Sequence, residues 1–330
     1  MHIARQMINP ELRARGTLIR FFWPSFSLRK FRFCNAVLDK FGKDHAFSKS
    51  FSYEQVYIPR NDGSLLRLCV YTPKNAIPER RHTPVPGLLW LHGGGYAIGI
   101  PEQDYLFIER FIEASDCVVV SPDYTRSVDA PYPAALDDCY LALRWLKEHW
   151  IDYGVRSDQL FVGGDSAGGG LAAALCLYAR DKGEISIAFQ MPLYPMLDDR
   201  PTGSSLSNDA PVWNTVSNDL AWKLYLGELF GTEHVPKYAA PARETDYAGL
   251  PPTLTFVGSV EPFRDETIQY VEMLRDAGVE TAFQVYDGCF HAFELVGRRT
   301  DIGRQAIEFL ISGFKHAVAT YRKAQPDGDT

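Results

Sequence analysis

A serine hydroxyl is a poor nucleophile in water, so the residues around any reactive serine say whether the chain can activate it. Ser166 lies in Gly164-Asp165-Ser166-Ala167-Gly168, a G-x-S-x-G stretch that follows the apolar run 159–162 and opens a helix-like one. A serine placed between a strand and a helix sits on a very sharp turn. Only small neighbours two residues to either side let the backbones pass, which accounts for Gly164 and Gly168. Such a turn presents the hydroxyl at the carboxyl edge of a sheet. Alone the pentapeptide is a weak signal, because glycine and serine are common in turns; its strand–turn–helix setting is what gives it weight.

Three further groups complete that chemistry. His92-Gly93-Gly94-Gly95 follows the apolar run 87–91, and consecutive glycines let backbone N–H groups point inward unobstructed. With the N–H of Ala167 they form a donor set for a tetrahedral oxyanion, in which one donor is worth roughly 10²–10³ in rate. A phosphate-binding loop is the competing use of such glycines, but no Lys-Ser/Thr follows in Walker spacing. The base is found by elimination. Where a serine occupies an elbow of this type, the chain order is nucleophile, acid, histidine. Of the histidines, only His234, His291 and His316 follow Ser166. His234 falls in an insertion and His316 within the last helix, whereas His291 lies on a short loop after the strand 281–286. The acid belongs after the strand ending at Val257, where Glu261 leaves the strand end and Asp265 enters the next helix. Glu261 is the favoured candidate. Asp265 reads better as a charge at a helix N-terminus, where an acid is favoured in any case.

These residues must be held by a larger framework. From about residue 53 onward, apolar runs alternate with helical patterns. Strands are expected at 55–59, 65–71, 87–91, 117–121, 159–163, 185–191, 253–257 and 281–286. Helices are expected at 103–114, 133–150, 167–181, 265–277 and 302–321. Continuous apolar strands separated by helices predict a mostly parallel sheet covered on both faces. Asn61-Asp62-Gly63 adds an antiparallel hairpin at its start. Residues 197–237 break the rhythm, with no strand and one helix near 218–229. An insertion of that length is more often a lid than a structureless loop. It is expected to form a cap with residues 1–50, built on Trp23, Phe26 and Phe31 from the arm and Trp213, Trp222 and Tyr225 from the insertion. Residues 324–330 read as disordered.

These motifs together resemble the hormone-sensitive-lipase-like branch of the α/β-hydrolase esterases. The matching pieces are HGGG (92–95), GDSAG (164–168), EPFRDE (261–266), FHAF (290–293), the stretch 121–146 and PLYPMLD (192–198). The similarity covers roughly residues 55–320. It implies an α/β-hydrolase fold with an eight-stranded, mostly parallel sheet, flanking helices and a helical cap. The catalytic domain would comprise 51–197 and 238–330, with cap pieces 1–50 and 198–237. It further implies a serine carboxylesterase acting on short- to medium-chain esters through Ser166, His291 and Glu261, with Gly93, Gly94, Gly95 and Ala167 as the oxyanion hole. Acyl transfer, amide hydrolysis and a ligand-binding receptor on the same scaffold are the other readings. Three departures stand out. Glutamate replaces the family's usual aspartate at 261, Ala292 replaces a glycine after the histidine, and residues 124–131 differ from the usual Y-R-L-A-P-E.

Composition sets the outer limits. With 46% hydrophobic and 23% charged residues over 330 positions, one large α/β domain with an appendage is affordable. A net charge of −7 argues against nucleic acid, but it is unevenly spread. The first fifty residues hold ten Lys/Arg against three acids, and the remainder 24 against 38. The arm is therefore +7 on a body of −14, and it is expected as an amphipathic helical segment docked on that body. No apolar run approaches the ~18 residues of a membrane span, so stable insertion is not expected. The six cysteines (34, 69, 117, 139, 176, 289) show no metal-ligand spacing. No metal or cofactor is expected, and a cytoplasmic location is. The partner is a small-molecule ester; a homodimer is compatible with the sequence.

Overall fold

Asp62 accepts the Ser64 N–H at 2.9 Å and Gly63 takes φ +83°, so the turn at 60–64 closes a hairpin as its residue types require. In the computed structural model, which describes residues 2–43, 48–74 and 84–326, this hairpin pairs β1 (Phe51–Pro59) with β2 (Leu65–Pro73) antiparallel. The other strands are β3 (Val85–Leu91), β4 (Val118–Pro122), β5 (Val155–Asp165), β6 (Phe189–Leu193), β7 (Thr253–Gly258) and β8 (Thr281–Tyr286). Among the described residues they form one eight-stranded sheet in the order β1-β2-β4-β3-β5-β6-β7-β8. β2 meets β4 antiparallel and every later pair is parallel. The expected mostly parallel sheet with an antiparallel edge is what is found.

Alternation along the strands divides the core between two faces. Leu89, Leu91 and Val162 face a layer containing α4 (Ala134–Glu148), α5 (Ala167–Lys182) and α7 (Arg264–Asp276). Leu88, Trp90 and Phe161 face Phe107 and Phe111 of α3 (Tyr105–Ser115) and Phe314 of α9 (Asp301–Thr320). Small side chains on α5, among them Ala172, Ala173 and three successive glycines, let that helix lie close against the sheet. Its start is therefore fixed relative to the end of β5.

Several boundaries differ from expectation: β1 and β5 each begin four residues early, at Phe51 and Val155, and two others carry a physical reason. β6 begins at Phe189 rather than at 185; Ile185 and Ile187 are buried in the helix-side core without joining the ladder. Their apolar character reports burial and not pairing. The helix of the insertion, α6 (Thr215–Leu226), starts earlier than 218 because Asn214 caps it, accepting the Ser217 N–H at 3.1 Å. Of the segment expected to be disordered, residues 327–330 lie outside the described residues.

The N-terminal arm carries α1 (Arg13–Phe22) and α2 (Leu28–Phe41). Gly16 of α1 lies against Phe290 and Pro211, where an added Cβ would come within 3.1 Å of both side chains. Asn35 of α2 donates to the Ala97 carbonyl at 2.9 Å. Between the helices, the Phe26 N–H donates to Ser217 Oγ at 3.0 Å and Asn214 Nδ2 to the Pro24 carbonyl at 2.5 Å. The arm is thus tied to α6 and its cap residue.

Candidate active site

β5 ends at Asp165 and α5 begins at Ala167, so Ser166 alone makes the turn, at φ 56° and ψ −119°. A non-glycine residue held there is strained, and the surroundings must enforce it. They do so by close backbone approach. A Cβ on Gly168 would stand 2.0 Å from the Leu91 carbonyl oxygen, and one on Gly164 2.5 Å from the Gly168 backbone. Ser166 itself is 4% exposed.

His291 lies on the loop between β8 and the short helix α8 (Phe293–Val296). Its Nε2 is 2.8 Å from Ser166 Oγ and its Nδ1 2.5 Å from Glu261 Oε2. Glu261 follows β7, is fully buried, and accepts the Gly258 N–H on its other oxygen at 2.8 Å. Tyr194 and Phe263 each place a ring edge-on to the imidazole at 5.1 Å between centroids. Of the two candidate carboxylates, Glu261 makes the contact with His291. Asp265 pairs with Arg264 at 2.7 Å in the first turn of α7. Neither of the other histidines after Ser166 joins the group: His234 is exposed and His316 stacks edge-on with Tyr321 on α9.

The glycine loop after β3 separates into two parts. Gly93 packs against Asp165, where an added Cβ would stand 2.5 Å from the carboxylate Oδ2. Gly94 and Gly95 adopt φ of +125° and +60°, and a Cβ on Gly95 would meet the Trp213 ring at 2.3 Å. Ala167 opens α5, where the first N–H groups of a helix have no partner within it. His92 takes no part in the opening: it stacks on Tyr124 at 4.1 Å and its Nδ1 is 2.9 Å from the Gly93 carbonyl. Burial lowers its pKa to about 4, so the ring is neutral at ordinary pH. Tyr96, next after the glycines, stacks on Tyr225 at 3.9 Å and donates to the Met196 carbonyl, a packing role.

Several acids around the site were not singled out by sequence. Asp104, at the start of the expected helix 103–114, is buried and faces Asp165 in the interior. Burial and the neighbouring Asp165 carboxylate push Asp104 well above the carboxylate range, which favours its neutral form. Its Oδ2 accepts the Trp90 indole N–H at 2.9 Å. Glu266 is also raised by burial, and accepts the Leu197 N–H at 2.7 Å. Glu294, three residues beyond His291, accepts the Tyr194 hydroxyl at 2.5 Å and is pushed by burial from 4.5 to about 8. Ala292 is left-handed at φ 54°, which gives a backbone reason for the glycine that related sequences carry there. Among the described residues, no three His, Cys, Asp or Glu side chains are grouped to hold a metal ion.

With that geometry in hand, the chain can be set beside known proteins. The sequence model of a family described as alpha/beta hydrolase fold matches residues 88–295. Esterase LipI of Mycobacterium tuberculosis is 36% identical over 212 residues, covering 64% of this chain and 65% of LipI. The chain thus spans just under two thirds of that relative. The gibberellin receptor GID1A of Arabidopsis thaliana is 31% identical over 204 residues, covering 59% of each. Among solved structures, a bacterial heroin esterase superposes with a TM-score of 0.85 at 32% identity, covering 96% of this chain and 99% of that one.

Two stability measurements follow from the buried groups. Folded Glu294 holds its proton to about 8, whereas the unfolded chain releases it near the ordinary 4.5. The folded state therefore loses stability as pH rises between those values. Glu294→Gln, which keeps the neutral shape, is expected to raise Tm relative to wild type at pH 9 but not at pH 5; an equal difference at both would contradict the protonation assigned here. Ala292→Gly relieves a left-handed alanine and should stabilise by about 1 kcal/mol, read from urea unfolding. A loss of stability would show that the loop does not need this backbone conformation.

Proposed function

Because this chain belongs to the α/β-hydrolase family, in its hormone-sensitive-lipase-like branch, we propose that it is a carboxylic ester hydrolase working through a serine acyl-enzyme on short- to medium-chain esters. The observation that carries this reading is the unbroken chain of hydrogen bonds from Glu261 through His291 to Ser166. Ser166 Oγ attacks the ester carbonyl while His291 Nε2 takes its proton. Glu261 holds the Nδ1–H and stabilises the imidazolium that forms. His291 returns the proton to the leaving alcohol, and then activates the water that cleaves the acyl-enzyme.

The developing oxyanion falls to the N–H groups of Gly94, Gly95 and Ala167. Gly93, the first glycine of the same donor loop, packs against Asp165 and anchors the loop there. Residues 1–50 and 198–237 act as the cap. Trp213, whose ring lies over Gly95 and 6.3 Å from the His291 ring, and Phe26, 5.7 Å from Trp213, border the substrate. The glutamate at 261 reaches the imidazole with its extra methylene, so the departure from the family's aspartate costs no contact. The six cysteines are free thiols, in keeping with a cytoplasmic site of action.

The similarity to a receptor raises a non-catalytic reading. A histidine bonded to the nucleophile has no purpose in mere binding, and favours turnover. Acyl transfer or amide cleavage would use the same groups and would appear as altered products when amines or alcohols are added.

Hydrolysis of an aryl acetate tests the assignment. Ser166→Ala should abolish it, and Glu261→Gln should lower kcat about 10⁴-fold, the cost seen when a triad acid can no longer orient its histidine. Asp265→Asn should leave kcat within about threefold while lowering stability slightly. The reverse ranking would move the acid to Asp265. Activity should also fall as the solution turns acidic, because the base is a neutral imidazole. His92, already neutral down to about 4, does not contribute to that loss.

A further inference from the structure

Surface helices of globular proteins ordinarily turn their apolar side inward and their polar side to water. The arm helices bury one face and leave a second apolar face in solvent. On α2, Phe31 and Asn35 are buried, yet Phe33, Val37 and Phe41 line up at four-residue spacing on the outer side, with Phe33 64% and Phe41 62% exposed. On α1, Gly16 is buried, while Leu18, Phe21 and Phe22 face out, Phe21 at 78% and Phe22 at 72%. Eight of the fifteen large hydrophobic side chains exposed among the described residues fall between Met7 and Phe41. Such concentration marks an interaction surface rather than ordinary surface scatter.

The charges beside that ridge say what it meets. Arg29, Arg32 and Lys40 are exposed on α2 next to Phe33, Val37 and Phe41. An apolar ridge flanked by arginine and lysine is the pattern of a helix lying in the plane of a lipid interface. We propose that α1 and α2 form a peripheral docking surface for an anionic bilayer, with the phenylalanines entering the headgroup region and the basic residues contacting lipid phosphates. The charge distribution fixes the orientation. The arm carries +7 and the rest −14, so an anionic surface attracts the arm and repels the opposite side. A second copy of the chain is the other occupant such a face admits. A twofold contact there would bring two copies of the basic patch of Arg29, Arg32 and Lys40 together, an unfavourable juxtaposition of like charge.

Docking in this way places the inner side of the arm, where Phe26 approaches Trp213 and Gly16 approaches Phe290, between the bilayer and Ser166. The surface itself stands on exposed residues outside the site, so its test is independent of the chemistry proposed above.

The full-length protein is sedimented with vesicles of phosphatidylglycerol and phosphatidylcholine in equal parts, and with phosphatidylcholine alone. Wild type should bind the mixed vesicles, more weakly as salt screens the charges, and bind phosphatidylcholine poorly. Arg29→Glu/Arg32→Glu/Lys40→Glu and Phe33→Ser/Val37→Ser/Phe41→Ser should each reduce binding about tenfold or more, with turnover of a water-soluble acetate unchanged as proof of folding. Failure of wild type to bind, or variants that bind equally well, would overturn the proposal. So would light scattering that shows a dimer which the serine variant dissolves, since the face would then be a contact between copies.

Discussion

The carbonyl oxygen of Leu91 occupies the space that a side chain on residue 168 would need. That single close approach couples the two halves of the site. Leu91 ends β3 and is followed by His92 and the glycines; Gly168 lies in the first turn of α5, two residues after Ser166. Because strand and helix touch backbone to backbone, Ser166 is held in its strained turn and the glycine loop lies against Asp165 just before it. The parallel pairing of β3 with β5, Leu91 opposite Gly164, keeps that approach from relaxing. The strain at Ser166 is sustained by a sheet buried on both faces, which cannot shift locally to release it.

Around this contact the protein places carboxyl groups in contrasting environments. Glu261 meets an imidazole on one oxygen and a backbone N–H on the other, so both ends of the carboxylate are occupied. Asp104, Glu266 and Glu294 are buried without a cation and are pushed upward, which favours their neutral forms and keeps uncompensated negative charge out of the interior. Asp165 lies against Asp104 on one side and Gly93 on the other, and so braces the glycine loop.

Much of this could be read from the chain. The sheet followed from apolar runs alternating with helical periodicity, because a parallel sheet buried on both faces leaves that pattern in sequence. The meeting of Ser166 and His291 followed from chain order and from glycines with a steric purpose. What escaped was information that spacing does not carry. Nothing in the spacing of Asp104 or Glu294 marks either one; only the fold shows that each is enclosed. The start of β6 was misplaced because Ile185 and Ile187 are apolar for burial and not for pairing. Ala292 stands in the sequence only as a replacement for a glycine, whereas its significance is a left-handed backbone that composition does not reveal. The apolar outer faces of α1 and α2 were likewise hidden, since a helix with two apolar sides looks in sequence like one that is merely hydrophobic.

The claim on which the rest stands is that Ser166 is a nucleophile made reactive by His291. Mass spectrometry after exposure to a fluorophosphonate tests it most directly. One covalent adduct per chain is expected, on the peptide containing Ser166, and it should be lost or greatly slowed in a folded His291→Ala protein. An adduct on another residue, or labelling of Ser166 at an unchanged rate without the imidazole, would contradict the account.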